Sequence, residues 1–157
     1  EFRRVLFRSI IRELKDYKLG IVGETLNKYE KYLLNKNIPG RYIQYGKVSD
    51  NKLRSLYSQS FCMLFTSEYE GFGLPLLEAQ ACGCTVVASC TSSLFEIGDG
   101  SVKFGNNIDI DSYIESISFL EKVDQRSKII NLGIENSRNY TWHKCINETI
   151  NAYRNLC

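Results

Sequence analysis

At 157 residues the chain is long enough for one compact domain and too short for two ordinary ones. Its 43% hydrophobic and 24% charged residues are usual for a globular protein, and no apolar run approaches the ~20 residues of a membrane span. Residues 1–9 read like a sequencing-adapter oligonucleotide translated in one frame, so they are set aside as a scar and residues 10–157 are taken as the domain. Those nine residues hold three Arg and one Glu, which leaves 17 basic and 17 acidic side chains elsewhere. The formal charge of +2 thereby becomes zero, and a protein that seeks nucleic acid by charge is disfavoured. No secretory leader is expected, because the N-terminus lacks an apolar core ending in a small-residue cleavage site.

Short apolar runs then alternate with longer amphipathic ones, the pattern of βα units and a parallel sheet. Leu19 to Gly23 reads as a strand ending in glycine. Leu26 to Asn37 follows as a helix, with Tyr29, Leu33 and Leu34 at helical spacing and Pro39-Gly40 closing it. Tyr42 to Gly46 is the next strand. Ser49 or Asp50 can cap the helix carrying Leu53, Leu56 and Tyr57. Phe61 to Thr66 is an almost wholly apolar strand, as a sheet covered on both faces requires. A glycine turn leads to a helix from Pro75, which Gly83 ends. Thr85 to Ser89 is another buried strand. Beyond Phe104 the pattern turns helical, over Ile110–Lys122, Gln125–Asn139 and Thr141–Asn155, with Thr141 as the last cap. The fold class expected is α/β: a Rossmann-like parallel sheet with helices on both faces and a helical C-terminal tail.

The six cysteines do not form a zinc pattern. Cys82 and Cys84 are one residue apart, and the only histidine is His143. Buried, reduced thiols in a cytoplasmic protein are expected instead.

The chemistry concentrates between Ser67 and Ala79. Ligands of doubly wound sheets bind beyond the carboxyl ends of the strands, where this turn lies. The N–H groups of Phe72, Gly73 and Leu74 approach a helix N-terminus, where free donors and the helix dipole favour an anion. Glu78, about one turn into the helix, can accept two hydrogen bonds from a vicinal diol such as ribose, and Glu70 faces the same space from the loop. Acids near a helix start also stabilise it with no ligand at all, so spacing alone does not decide for binding. From Ser55 through Val102 there is no Lys or Arg but five acids, so cations for a diphosphate have to come from another segment, a partner domain or a divalent metal.

The run Tyr69-Glu70-Gly71-Phe72-Gly73-Leu74-Pro75-Leu76-Leu77-Glu78-Ala79, followed by Ala81-Cys82-Gly83-Cys84, resembles the signature of the family 4 (group 1) retaining glycosyltransferases of the GT-B fold. The resemblance runs from about Leu19 to Tyr153. It takes in Val22-Gly23, Gly46-Lys47-Val48-Ser49-Asp50, the Ser92-Ser93-Leu94-Phe95-Glu96 loop and Tyr140-Thr141-Trp142. It implies one half of a GT-B fold, the domain that binds the nucleotide-sugar donor. Glu70 would contact donor-sugar hydroxyls near the reaction centre and is the implied catalytic residue. Glu78 would hold the ribose, the amides from Gly71 through Leu74 would meet sugar and diphosphate, and Tyr45 and Lys47 would line the base. The implied reaction is retaining hexosyl transfer by same-face substitution, with no essential metal and no cofactor.

The resemblance further implies an N-terminal Rossmann domain that this chain lacks, with the acceptor site and first-domain catalytic groups on it. It places phosphate-binding Arg and Lys near the start of the present domain, where the scar now stands. The full-length enzyme would be cytoplasmic and could associate peripherally with a membrane. The fragment alone would be inactive. Phe95 stands where the family commonly has Pro, and the strand ending at Gly23 lacks the usual second glycine. A non-catalytic nucleotide-sugar-binding module is the alternative; a dehydrogenase is not, since no G-x-G-x-x-G follows any strand. Trp142, Ile146, Ile150 and Tyr153 would form an exposed apolar stripe on the last helix.

Overall fold

The computed structural model describes residues 9–98, 100–106 and 109–156. Residues 1–8, most of the proposed scar, lie outside them. A helical segment over residues 9–13 leads into β1 (Leu19–Val22), followed by α1 (Lys28–Asn37) and β2 (Tyr42–Gly46). Then come α2 (Asp50–Gln59), β3 (Cys62–Phe65), α3 (Leu74–Ala81), β4 (Thr85–Ser89), α4 (Ser92–Gly98) and β5 (Lys103–Gly105). Three helices finish the chain: α5 (Ile110–Glu121), α6 (Val123–Arg138) and α7 (Trp142–Arg154).

All strand pairs are parallel, as the βα alternation predicts, but they form two sheets. One is β1-β2, with Leu19 opposite Tyr42; the other is β3-β4-β5, with Cys62 opposite Thr85 and Val87 opposite Lys103. The strand β5 is a difference from the sequence reading. It is only three residues long and carries Lys103, so its apolar signal is too short to register. The Ser92–Glu96 stretch, read as a loop, forms the helix α4.

Period-two alternation sorts the larger sheet's side chains onto two covered faces. Val86 and Ala88 of β4, with Met63 and Phe65 of β3, pack against Leu76, Leu77 and Ala79 of α3 and Leu94 and Ile97 of α4. Val87, Cys62 and Leu64 point the other way, onto Tyr113, Ile117 and Leu120 of α5, Ile129 of α6 and Ile10. The smaller sheet has its own, slighter core of Ile11, Leu34 and Ile38.

Caps set the helix starts. Asn27 and Glu30 form a reciprocal capping box on α1, Ser49 accepts from the Lys52 N–H on α2, and Thr141 accepts from the Lys144 N–H at 3.2 Å on α7. Every residue of α7 is exposed, and Trp142, Ile146, Ile150 and Tyr153 share one face at helical spacing, as the sequence predicts. Cys62, Cys82, Cys84, Cys90 and Cys145 are free thiols, but Cys90 and Cys145 are exposed, which corrects the expectation that all are buried. Cys90 falls just past the end of β4, and Cys145 lies on the exposed α7. Among the described residues, no helix is long and apolar enough to cross a membrane.

Candidate donor site

Beyond the carboxyl end of β3 the chain makes a tight loop that three interactions fix. The Ser67 hydroxyl donates to the Tyr69 carbonyl at 3.0 Å, and the Ser93 hydroxyl donates to the Glu70 carbonyl at 2.7 Å. Gly73 then turns the chain into α3 at φ +100°, a conformation side chains rarely adopt. A Cβ there would lie 2.7 Å from a Leu94 methyl, so the loop can seat against α4 only with glycine at this point.

The helix starts at Leu74, one residue before the predicted Pro75, and no side chain caps it. Pro75 has no N–H and the Leu76 N–H donates to the Gly73 carbonyl at 3.0 Å, so the Leu74 N–H is the first-turn donor left to meet an anion. Around this edge, Thr66 after β3 and Thr91 after β4 keep buried hydroxyls without a hydrogen-bond partner among the described residues. Buried polar groups are normally paired with protein or with water, and these two hydroxyls lie at the carboxyl ends of adjacent strands.

Glu78 is exposed, in the second turn of α3. It lines a cleft of about 270 Å³ between α2 and α3, together with Asp50, Leu53, Arg54, Tyr57, Ala81 and Cys82. Burial, with the Glu78 charge nearby, pushes the Tyr57 hydroxyl up to about 12, so it stays a neutral donor. Glu70 is half-buried and does not line this cleft; it belongs to the loop that Ser93 holds. Of the amide-bearing residues, Gly71 and Phe72 are exposed on the loop, and the Phe72 ring meets Tyr140 edge-on at 5.8 Å. Tyr45 packs beside Gly20 with the Lys52 ammonium 5.7 Å from its ring, and Lys47 pairs with Glu24 at 2.9 Å. Both sit at the carboxyl end of β2, outside the Glu78 cleft.

Sequence reasoning missed the cleft's other wall. Asp50 was legible only as a helix cap, and Arg54 stands one residue before the cation-free stretch begins, so a count from Ser55 passes over it. It also missed what steadies α3. Buried Gln80 donates to the Ser101 hydroxyl at 2.8 Å, and Asn136 of α6 donates to Gln80 at 2.9 Å and to the Ile97 carbonyl at 2.8 Å. A glutamine in a largely apolar helix run, two residues after Glu78, was the available signal.

The model of the family described as "Glycosyl transferases group 1" matches residues 6–135. The chain belongs to the group 1 glycosyl transferases. Its α/β architecture is that of half of a GT-B fold, as the resemblance implied. Among curated relatives it is 39% identical over 119 residues to O-antigen chain mannosyltransferase B of Escherichia coli, covering 74% of this chain and 30% of the relative. The chain thus spans about a third of that relative's length. Among solved structures, the C-terminal domain of a group 1 glycosyl transferase from Francisella tularensis superposes with a TM-score of 0.70 at 22% identity, covering 87% of this chain and 76% of that one. A protein from Anabaena solved with UDP and glucose superposes with a TM-score of 0.76 at 18% identity, over 95% of this chain and 44% of that one.

Proposed function

We propose that this chain is the donor-binding half of a retaining hexosyltransferase that takes its sugar from a nucleoside diphosphate, acts without an essential metal, and needs an N-terminal Rossmann domain to be active. The observation that carries the reading is the uncapped N-terminus of α3 at the sheet's carboxyl edge, with a carboxylate one turn further along in a cleft. The Leu74 N–H at the helix start supplies a donor for phosphate oxygens. Glu78 suits a ribose diol, and the loop carboxylate Glu70 suits sugar hydroxyls. The likeness to an O-antigen mannosyltransferase favours a mannosyl donor. In this reading the enzyme works in the cytoplasm, and Tyr45 and Lys47 contribute to the base side.

The test is made on the full-length enzyme, titrated with UDP, GDP and their sugars. Glu78→Ala weakens binding of the nucleoside diphosphate itself, whereas Glu70→Ala chiefly lowers kcat. Unchanged kinetics and binding in both variants would sink the assignment.

A further inference from the structure

Glu70 and Glu78 stand on different elements, so their separation is set by whatever holds those elements together. Glu78 rides on α3. Glu70 lies in the loop before it, where the Ser93 hydroxyl of α4 donates to its carbonyl at 2.7 Å. Leu94, the next residue of α4, closes on Gly73 at the other end of that loop. The loop is therefore placed by α4, and Glu78 by α3.

Apolar packing brings the two helices together without choosing their register. Leu76, Leu77 and Ala79 of α3 share one cluster with Leu94 and Ile97 of α4. Burial of this kind is non-directional, whereas a hydrogen bond selects an angle as well as a distance. One side chain makes such a bond to each helix. Asn136, in the last turn of α6, donates to the Gln80 side-chain oxygen of α3 at 2.9 Å and to the Ile97 carbonyl of α4 at 2.8 Å.

The surroundings are shaped around this tie. Gln80 is 1% exposed and fully engaged, its amide donating to the Ser101 hydroxyl at 2.8 Å and to the Ser101 carbonyl at 3.3 Å. The Ser101 hydroxyl in turn donates to the Gly98 carbonyl, at the end of α4, at 3.0 Å. Gly133, three residues before Asn136 in α6, gives the glutamine room, since a Cβ there would lie 3.1 Å from Gln80 Cγ. Glycine inside a helix weakens it, and an apolar side chain at position 80 would fill the same space with no polar atoms to satisfy. What the buried amide adds is direction.

We propose that Asn136 is a positioning residue for sugar transfer: by tying α3 to α4 it sets the separation of Glu78 and Glu70, although it lies on α6, outside the Glu78 cleft. The proposal rests on the donor-binding reading, in which transfer needs both carboxylates, whereas a nucleoside diphosphate without its sugar needs Glu78 and not Glu70. A misplacement of about 1 Å between such groups can cost about a hundredfold in rate.

The test uses the full-length enzyme with Gln80→Met and Asn136→Leu combined, which removes both polar partners at once. Replacing both members of a buried hydrogen bond by apolar groups of similar size is nearly neutral for stability, so the urea midpoint stays close to that of the parent. The kcat falls at least about tenfold, while the Kd for GDP and UDP stays within about threefold. Gln80→Met alone cuts only the α3 tie and lowers kcat in the same sense, which keeps the test available should the pair not fold. A folded variant with the parent's kcat overturns the proposal. A kcat loss that vanishes when trimethylamine oxide restores the folded fraction also overturns it, as does a rise in Kd that matches the kcat loss, because the network then holds α3 alone. Glu70→Ala and Glu78→Ala are measured alongside. If they too leave kcat and Kd unchanged, the donor-binding reading falls and takes the proposal with it; if they act as expected while the pair does not, only the proposal falls.

Discussion

The two halves of this domain are built from the same βα units but are held together differently. From β3 onward, a fully buried central strand is covered on both faces by two apolar clusters. Around β1 and β2 no strand residue is buried: β1 alternates half-buried and exposed, β2 is half-buried apart from exposed Ile43, and the core is three residues. There, local devices stand in for burial: the Asn27–Glu30 capping box, and an Arg41 guanidinium that donates to the Lys15 carbonyl at 2.9 Å and to the Ile11 and Leu14 carbonyls. Charge divides along the same line. Residues 10–60 hold ten basic and five acidic side chains, residues 61–157 seven and twelve. A zero sum therefore hides a dipolar domain, whose basic half adjoins the acidic edge that carries Glu70 and Glu78.

The largest expected effect comes from removing a core side chain on the well-packed side. Leu94 is fully buried and seats Gly73, so Leu94→Ala should cost about 3–5 kcal/mol in urea unfolding and weaken nucleotide binding with it. Leu34→Ala, in the thin core, should cost about 2–3 kcal/mol and leave the α3 site intact. Equal costs would mean that the halves share one core after all.

Alkaline pH should act on the same contrast. Burial pushes the Cys62 thiol up to about 12 and the Cys84 thiol up to about 11, both in the β3–β5 half. The unfolded chain ionises these thiols near 9, so their contribution is complete below pH 9 and is lost as pH rises toward the folded values, by at most about 1.4 kcal/mol per pH unit for each. Urea midpoints should therefore fall between pH 9 and 11, and a Cys62→Val, Cys84→Ala double variant should flatten that fall. A fall of the same steepness in the double variant would assign it to the tyrosines.

Arg41→Ala should cost about 2 kcal/mol, the scale of charged hydrogen bonds to carbonyls. The loss should be local: exchange of β1 and β2 amides should speed up first, with β4 unaffected. Uniform acceleration would show that the two sheets open as one unit.

The sequence made legible what repeats and what is bulky. Four of five strands follow from apolar runs, and the helix starts after Ser49 and Thr141 follow from capping chemistry, whereas the first helix begins at Lys28 behind an Asn27 cap and not at Leu26. It could not show the division into two sheets, because strand pairing depends on segments remote from one another in the chain. The site was half legible. Glycine and glutamate spacing marks the loop and α3, since the turn geometry demands glycine at Gly73. The cleft around Glu78 was not, because Arg54 and Tyr57 reach it from α2, and their own pattern reads as an ordinary amphipathic helix.

The smallest effect tests whether the basic half contributes to the site or only adjoins it. Lys47 and Glu24 pair at 2.9 Å, but both are about four-fifths exposed, so Lys47→Ala should change stability by less than about 0.5 kcal/mol, and by less still in high salt. The resemblance nonetheless implies that Lys47 lines the nucleotide base. A lysine that matters only through its ion pair leaves nucleotide binding as unaffected as stability. A lysine that meets the donor weakens nucleoside diphosphate binding in the full-length enzyme while the unfolding midpoint stays fixed. That separation is expected, because an ammonium with weak structural ties can turn to a ligand at little cost to the fold.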